Sequence, residues 1–171
     1  LVLCLLSGGG SALLPAPSPG ITLTEKQQVT SLLLECGASI DEINAIRKHL
    51  SRLKGGQLAR LVLPATLITL VLSDVVGDRL DVIASGPTVP DPTTQAEARR
   101  ILEKYRYPGA TELAPILGDA QWETPKPGDP KFANDTVHLI ATAATALAAA
   151  AKFLEQKGYR VIQLGDDLDD E

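Results

Sequence analysis

The chain has 171 residues, of which 44% are hydrophobic, 22% charged and only 4% aromatic, and its formal net charge is -5. This composition is typical of a soluble globular protein large enough for a hydrophobic core, and it excludes an intrinsically disordered chain. The negative balance argues against nucleic acid as the main partner, because phosphate backbones are bound by clustered lysine and arginine.

The chain opens with the apolar run "LVLCLL", which has the length and pattern of a strand buried on both faces. The run has no basic start and passes directly into glycines, so we do not expect a signal peptide. The other long apolar stretch, "LVLPATLITLVL", is too short to span a bilayer, so no membrane anchor is expected. Methionine is absent and the first residue already lies in the predicted strand. We therefore expect an internal segment of a longer polypeptide.

Strands and helices alternate along the rest of the chain. The predicted strands are 66–73, 137–142 and 159–165, each rich in β-branched and apolar residues. Three helices are predicted from capping boxes, namely Thr24 with Gln27, Ser39 with Glu42, and Thr94 with Glu97. Gly37 should end the first of these helices and Gly55-Gly56 the second. A further Ala-rich helix, "AATALAAAAKFLEQKG", should pack closely on a sheet.

This alternation predicts the α/β class, with a Rossmann-like parallel sheet and helices on both faces. We expect residues 1–171 to form one α/β domain that is truncated at both ends. Cys4 and Cys36 make no disulfide framework and indicate a cytoplasmic protein. His49 and His138 are the only histidines, so we expect structural histidines and no zinc site.

The glycine loop that follows the first strand is the first candidate site. It consists of Ser7, Gly8, Gly9, Gly10 and Ser11. It is neither a P-loop, since no Gly-Lys-Ser/Thr closes it, nor a dinucleotide fingerprint, since Leu13 stands where a third glycine belongs. Three glycines flanked by hydroxyls can bring backbone N–H groups close to an anion, and they can equally form a tight turn.

The predicted helix "IDEINAIRKHLSRLKGG" places Arg47, Ser51 and Lys54 in a row beside its apolar stripe. Such a row can meet a phosphate or carboxylate, and it can also be a solvated helix face. Lys48 points away from the stripe, so helical geometry alone favours a solvated position for it.

The segments "SDVVGD" and "ASGP" complete the set of candidate loops. Asp74 lies at a strand terminus and Asp78 one turn later. Two carboxylates there suit Mg²⁺ held jointly with substrate phosphates, or a general base, and Asp74 could also cap a turn. Ser85 and Gly86 follow on the same side. Ligands of open α/β sheets bind beyond the carboxyl ends of the strands, where these turns should converge.

The motifs "LLSGGGSALLPAP", "GASIDEINAIRKHLSRLKGGQLA", "LSDVVGDRLDVIASGPTVPDPTT" and "ETPKPGD" resemble the glycerate 2-kinase family with a C-terminal MOFRL domain. Members of this family were earlier described as hydroxypyruvate reductases. The resemblance implies an ATP- and Mg²⁺-dependent kinase that phosphorylates the 2-hydroxyl of D-glycerate. It also implies a cleft partly lined by residues 7–11, Arg47, Lys48 and Asp74.

From their chemistry, the glycine loop with Lys54, Ser85 and Gly86 would bind substrate or phosphate. The cations would neutralise charge, and Asp74 with Asp78 would orient metal or hydroxyl. The family also has a lysine in an upstream Gly-Lys-Ala motif and an arginine in a downstream Gly-Gly-Arg-Asn segment, both outside this chain. We therefore expect the isolated segment to be inactive. Two alternatives remain: an NAD(P)H-dependent hydroxypyruvate reductase, and a non-catalytic module that binds sugar acids or nucleotides.

Overall fold

Residues 1–164 are described by a computed structural model of the chain. Three strands form one parallel sheet in the order β1-β2-β3: β1 Val2–Leu6, β2 Leu67–Leu72 and β3 Thr136–Ala141. The helices are α1 Gly10–Leu13, α2 Leu23–Glu35, α3 Ile40–His49, α4 Gln57–Val62, α5 Gln95–Lys104, α6 Ala110–Leu113 and α7 Ala143–Gln156. Short 3-10 turns lie at Val76–Asp78, Ile83–Ser85, Ala120–Trp122 and Pro130–Phe132.

The sheet confirms the predicted α/β class. β2 lies in the centre and pairs in parallel with both neighbours, and its Val71 stands opposite Leu6 of β1 and Leu139 of β3. Because parallel strands end at the same edge of a sheet, the loops that follow β1 and β2 emerge side by side. This arrangement brings the glycine loop next to the segment that contains Asp74.

Burial across the sheet is uneven. Leu67, Thr69 and Val71 of β2 are buried, whereas Leu3 and Leu5 of β1 are 59% and 70% exposed within the described part of the chain. The expectation of strands covered on both faces is therefore wrong for β1 in residues 1–164. The Ala-rich helix α7 was predicted to pack closely on the sheet, but among its described side chains only Ala151 is buried.

Three capping boxes start α2, α3 and α5, and the boxes at Ser39 and Thr94 are those predicted. The first box was assigned two residues too late. Thr22 caps α2, and the Glu25 carboxylate accepts the Thr22 N–H at 2.7 Å. A carboxylate is a stronger acceptor than the amide of Gln27, so the earlier of the two overlapping patterns prevails. Gly37, at φ +71°, follows the helix end as predicted.

Helix α3 ends at His49, although the sequence predicted that it continues to the glycine pair at 55–56. The chain leaves the helix because it pairs with a distant segment: Ser18 N donates to Leu50 O and Arg52 N donates to Ala16 O. Ser51 Oγ then accepts hydrogen bonds from the N–H groups of Leu53 and Lys54. These contacts satisfy the backbone groups that further helical turns would have used.

The main hydrophobic core lies among the helices. It is formed by buried residues of α2, α3, α5 and the segment around α6: Ile21, Val29, Leu33, Ile43, Ile46, Leu50, Ala98, Leu102, Leu113, Ile116 and Leu117. The core therefore fixes α2 against α3, the two helices whose cationic side chains face the glycine loop.

The fourth predicted strand, 159–165, is not formed in residues 159–164, which pair with none of the three strands. A strand needs a neighbour to complete its hydrogen bonds, and apolar composition alone does not supply one. Residue 165 and the acidic stretch after it lie outside the described residues. No helix within residues 1–164 has the length and apolarity needed to cross a membrane.

Candidate active site

The glycine loop leaves β1 and enters α1, a single helical turn. Gly9 precedes this turn with φ +80°, a left-handed conformation that favours glycine. Gly8 is required for another reason, because a Cβ there would lie 2.4 Å from Oδ2 of Asp74. The loop backbone therefore approaches the Asp74 carboxylate as closely as the chain permits, which agrees with the convergence predicted for these two segments.

Asp74 stands two residues beyond β2, exposed at the edge of the sheet. The turn around it is capped by Ser73, whose Oγ accepts the Val75 N–H and donates to Val75 O. No group of residues 1–164 donates a hydrogen bond to the Asp74 carboxylate. Within this part of the chain, Asp74 is therefore not the turn cap that the sequence allowed.

Asp78 does not line the cavity that Asp74 lines. It has φ +52° in the 3-10 turn after β2. Within residues 1–164, no group of three or more His, Cys, Asp or Glu side chains is arranged to hold a metal ion. A metal at this edge of the sheet would therefore need further ligands besides the carboxylates of residues 1–164, such as water or phosphate oxygens.

Ser85 and Gly86 lie behind the glycine loop. Ala84, Ser85 and Gly86 all have φ between 53° and 63°, a left-handed run that costs roughly 1–2 kcal/mol for each non-glycine residue. Ser85 is fully buried, and its Oγ donates to Asn44 Oδ1, so it accepts the hydroxyl of Ser11 at 2.7 Å. The left-handed run therefore positions Ser11 through the hydrogen bond between the Ser11 and Ser85 hydroxyls.

Arg47 and Lys54 converge on the glycine loop, although they do not share one helix. Arg47 Nη2 donates to the carbonyl of Ser11 at 2.9 Å, and Lys54 Nζ donates to the same oxygen at 2.7 Å. Burial and the nearby Arg47 lower the pKa of Lys54 to about 8. The predicted cationic row is thus brought together by the turn at Ser51 instead of by helical periodicity.

Lys26 belongs to the same cluster and was missed by the sequence analysis. It is only 6% exposed, and its Nζ donates to Pro15 O at 3.1 Å. Burial, followed by the charges of Lys54 and Arg47, lowers its pKa to about 7. A signal was present in the sequence: Lys26, Val29 and Leu33 share the buried face of α2, so a lysine occupies a core position.

Lys48 is buried instead of solvated. Its Nζ lies 3.1 Å from Asp91 Oδ1 and 3.5 Å from Asp81 Oδ2. Asp91 has no exposed surface and also accepts hydrogen bonds from Thr93 and Thr124. The helical prediction placed Lys48 on a water-facing surface because Asp91 is 43 residues away in sequence and could not be seen locally. Lys48 ties α3 to the segment that follows the left-handed run.

A cavity of about 400 Å³ lies between the glycine loop, α3 and the segment after β2. The predicted residues that line it are Ser7, Gly9, Gly10, Ser11, Arg47 and Asp74. The predicted residues that do not line it are Gly8, Lys48, Lys54, Asp78, Ser85 and Gly86. Asp41 and Arg79, which were not predicted from the sequence, also line the cavity and form an ion pair of 3.0 Å at its exposed side.

A protein-family model described as "Domain of unknown function (DUF4147)" matches residues 1–115. The chain belongs to this family. D-glycerate 2-kinase of Thermotoga maritima is 46% identical over 168 residues, which cover 98% of this chain and 39% of the relative. A protein of Agrobacterium vitis provisionally named hydroxypyruvate reductase is 46% identical over 173 residues, covering 100% of this chain and 38% of that protein.

The fold is also that of a solved relative. The crystal structure of glycerate kinase from Thermotoga maritima matches with a TM-score of 0.81 and 47% identity, covering 92% of this chain and 36% of that chain. These relatives confirm the resemblance to the glycerate 2-kinase family. The chain spans about two fifths of the length of the curated relatives it matches.

Proposed function

We propose that the protein containing this chain is a kinase that transfers the γ-phosphate of ATP to the 2-hydroxyl of D-glycerate. One observation carries the proposal: at the ends of two parallel strands, a cavity is lined by the glycine loop and by Asp74, whose carboxylate has no partner within residues 1–164. This arrangement occurs in a chain 46% identical to a protein named D-glycerate 2-kinase. The activity is proposed for the full-length protein, and we expect residues 1–171 alone to be inactive.

Asp74 would orient the reacting hydroxyl and accept its proton. Its carboxylate lines the cavity and receives no hydrogen bond from residues 1–164, so it is available to a substrate hydroxyl. The loop of residues 7–11 would hold an oxyanion, since its three glycines carry no side chains of their own that could block the backbone N–H groups. Arg47 lines the same cavity and would balance the negative charge of the substrate's carboxylate or phosphate.

The residues present fit Mg²⁺ that is shared with substrate phosphates, and they do not fit an all-protein metal site. Mg²⁺ commonly binds through one or two carboxylates together with phosphate oxygens and water. Asp74 is the sequence-predicted carboxylate that lines the cavity, and we propose it as the protein ligand. When bound there, the metal would neutralise charge on the phosphate oxygens.

Reduction of hydroxypyruvate by NAD(P)H is not proposed. A dinucleotide-binding unit holds the pyrophosphate at the N-terminus of a long helix that a Gly-x-Gly-x-x-Gly motif opens, whereas α1 has four residues and ends before Pro15. We place the kinase in the cytoplasm, a proposal supported by the free thiols of Cys4 and Cys36.

The test follows formation of ADP and of phosphorylated glycerate by the full-length protein with D-glycerate and ATP. Asp74→Asn should lower kcat by at least about 100-fold, because general base catalysis is typically worth 10² to 10⁴. Asp78→Asn determines whether the second carboxylate contributes, and Glu103→Gln, an exposed carboxylate on α5, is the matched control.

Each outcome of this test decides one part of the proposal. If the unaltered enzyme shows no turnover with D-glycerate, the kinase proposal is wrong and a binding module is favoured. If turnover is normal in Asp74→Asn, the kinase stands and the role given to Asp74 is wrong.

A further inference from the structure

A second cavity lies on the other side of Arg47. It has a volume of about 580 Å³ and is bounded by α2, α3 and the segment after the glycine loop. Three cations line it, Lys26, Arg47 and Lys54. It shares Ser11 and Arg47 with the smaller cavity and contains neither Asp74 nor Asp78.

The positive charge of this cavity is not neutralised by the chain. Of the side chains in residues 1–164 that line it, none is acidic. None of the ion pairs in the same part of the chain includes Lys26, Arg47 or Lys54. Buried cations are normally paired with carboxylates, because an unpaired charge loses its hydration without compensation. Two buried lysines, Lys26 and Lys54, beside the half-buried Arg47 therefore indicate an anionic ligand.

The cations also keep donors available. A charged lysine has three N–H donors and an arginine has five. Within residues 1–164, Lys26 donates only to Pro15 O, and Arg47 only to Ser11 O. Lys54 donates to Ser11 O and Ala84 O. The backbone carbonyls orient the three cationic groups while most of their N–H donors remain unused.

We propose that this cationic cavity, lined by Lys26, Arg47 and Lys54, is a phosphate subsite separate from the cavity of Asp74. Three cationic side chains match a ligand that has at least two negative charges and several oxygens, and a phosphate is such a ligand. Phosphate binding as such depends only on this geometry. Its use in catalysis rests on the proposed kinase function, in which the phosphate comes either from the nucleotide's polyphosphate or from the phosphorylated hydroxy acid.

The charge state of Lys26 provides a second measurable sign of phosphate binding. Burial, Lys54 and Arg47 lower its pKa to about 7, so part of the population is neutral near neutral pH. A bound anion favours the charged form of the lysine. Binding of phosphate should therefore be accompanied by proton uptake, and a variant that lacks this amine should lose that uptake.

The experiment is isothermal titration calorimetry of the full-length protein at pH 7.5 with inorganic tripolyphosphate as the probe, without metal. Lys26→Met keeps the apolar stem and removes the charge, and it should weaken binding by about 10-fold or more, as expected for a lost charge-assisted hydrogen bond. Lys131→Met, an exposed lysine outside both cavities, is the control and should bind as the unaltered protein does. Titrations in buffers of different ionisation enthalpy measure the proton uptake.

Two competition titrations distinguish the sources of the phosphate. Displacement of tripolyphosphate by ADP assigns the subsite to the nucleotide, and displacement by 2-phosphoglycerate assigns it to the product. If Lys26→Met binds the probe unchanged, the subsite proposal is wrong. If neither ADP nor 2-phosphoglycerate displaces the probe, the use of this subsite in the kinase reaction is wrong. Kinase turnover without Lys26-dependent binding would overturn the subsite alone, and Lys26-dependent binding without turnover would overturn the kinase alone.

Discussion

Replacing Lys48 with methionine tests whether this lysine positions the site or reacts in it. The substitution leaves Asp91 without its cation in a position that has no solvent exposure. Removing one partner of a buried ion pair typically costs about 3–5 kcal/mol. Asp91 retains hydrogen bonds from Thr93 and Thr124, so we take the lower end, about 3 kcal/mol.

The assay is hydrogen exchange of the peptide covering residues 84–95 in the full-length protein. A local loss of about 3 kcal/mol corresponds to roughly 100-fold faster exchange, since each 1.36 kcal/mol is a factor of ten. The amide of Thr93, which donates to Asp91 Oδ1, reports directly on this opening. The double variant Lys48→Met with Asp91→Asn removes both charges and should recover a large part of the protection.

One result would refute the positioning role of Lys48. If exchange of this peptide is unchanged in Lys48→Met while turnover falls by 100-fold or more, the ammonium acts on substrate and the ion pair is incidental. Lys131→Met, which removes an exposed lysine, controls for the change in net charge. Faster exchange together with lower turnover, both recovered in the double variant, supports a lysine that acts through the segment it holds.

Three further expectations follow from the site. Gly8→Ala places a methyl group 2.4 Å from Asp74 Oδ2 and should lower kcat/KM by about 100-fold, because a misplaced catalytic group loses about that factor. The circular dichroism spectrum should be unchanged, and normal turnover would contradict the close approach of the two segments. Because the pKa of Lys26 is lowered from 10.5 to about 7, the unfolded chain binds more protons between these values, so the Tm of the ligand-free protein should rise from pH 7 to 9 relative to that of Lys26→Met. A chelator should abolish turnover, and Mg²⁺ should restore it, without changing tripolyphosphate binding; loss of binding with the metal would contradict a metal-free phosphate subsite.

Local patterns in the sequence were sufficient for much of the fold. The capping boxes at Ser39 and Thr94 and the parallel sheet were predicted correctly, because caps and apolar runs depend on neighbouring residues. The early end of α3 was not predicted, since it depends on pairing of Leu50 and Arg52 with residues more than thirty positions earlier. Two valid capping patterns overlapped at the start of α2, and only the hydrogen bonds distinguish them.

The candidate site was predicted in part for the same reason. The approach of Asp74 to the glycine loop followed from the rule that parallel strands end at one edge. The burial of Lys48 could not be predicted, because its partner Asp91 is brought to it by tertiary structure. Lys26 was overlooked although its place in the buried stripe of α2 was visible, because a lysine between Glu25 and Gln27 resembles a solvated one.

The contact between Gly10 and Ala84 restricts how this site can vary. A Cβ on Gly10 would lie 2.9 Å from the Cβ of Ala84, so the two backbones leave room for a single methyl group. The chain carries that methyl group on Ala84, at φ +53°, where glycine would be favoured. It places glycine at position 10, the start of a helical turn, where alanine would be favoured. Positions 10 and 84 therefore behave as one unit under mutation. A combinatorial library that varies either position alone would sample mainly clashes or gaps, whereas paired exchange would keep the volume constant.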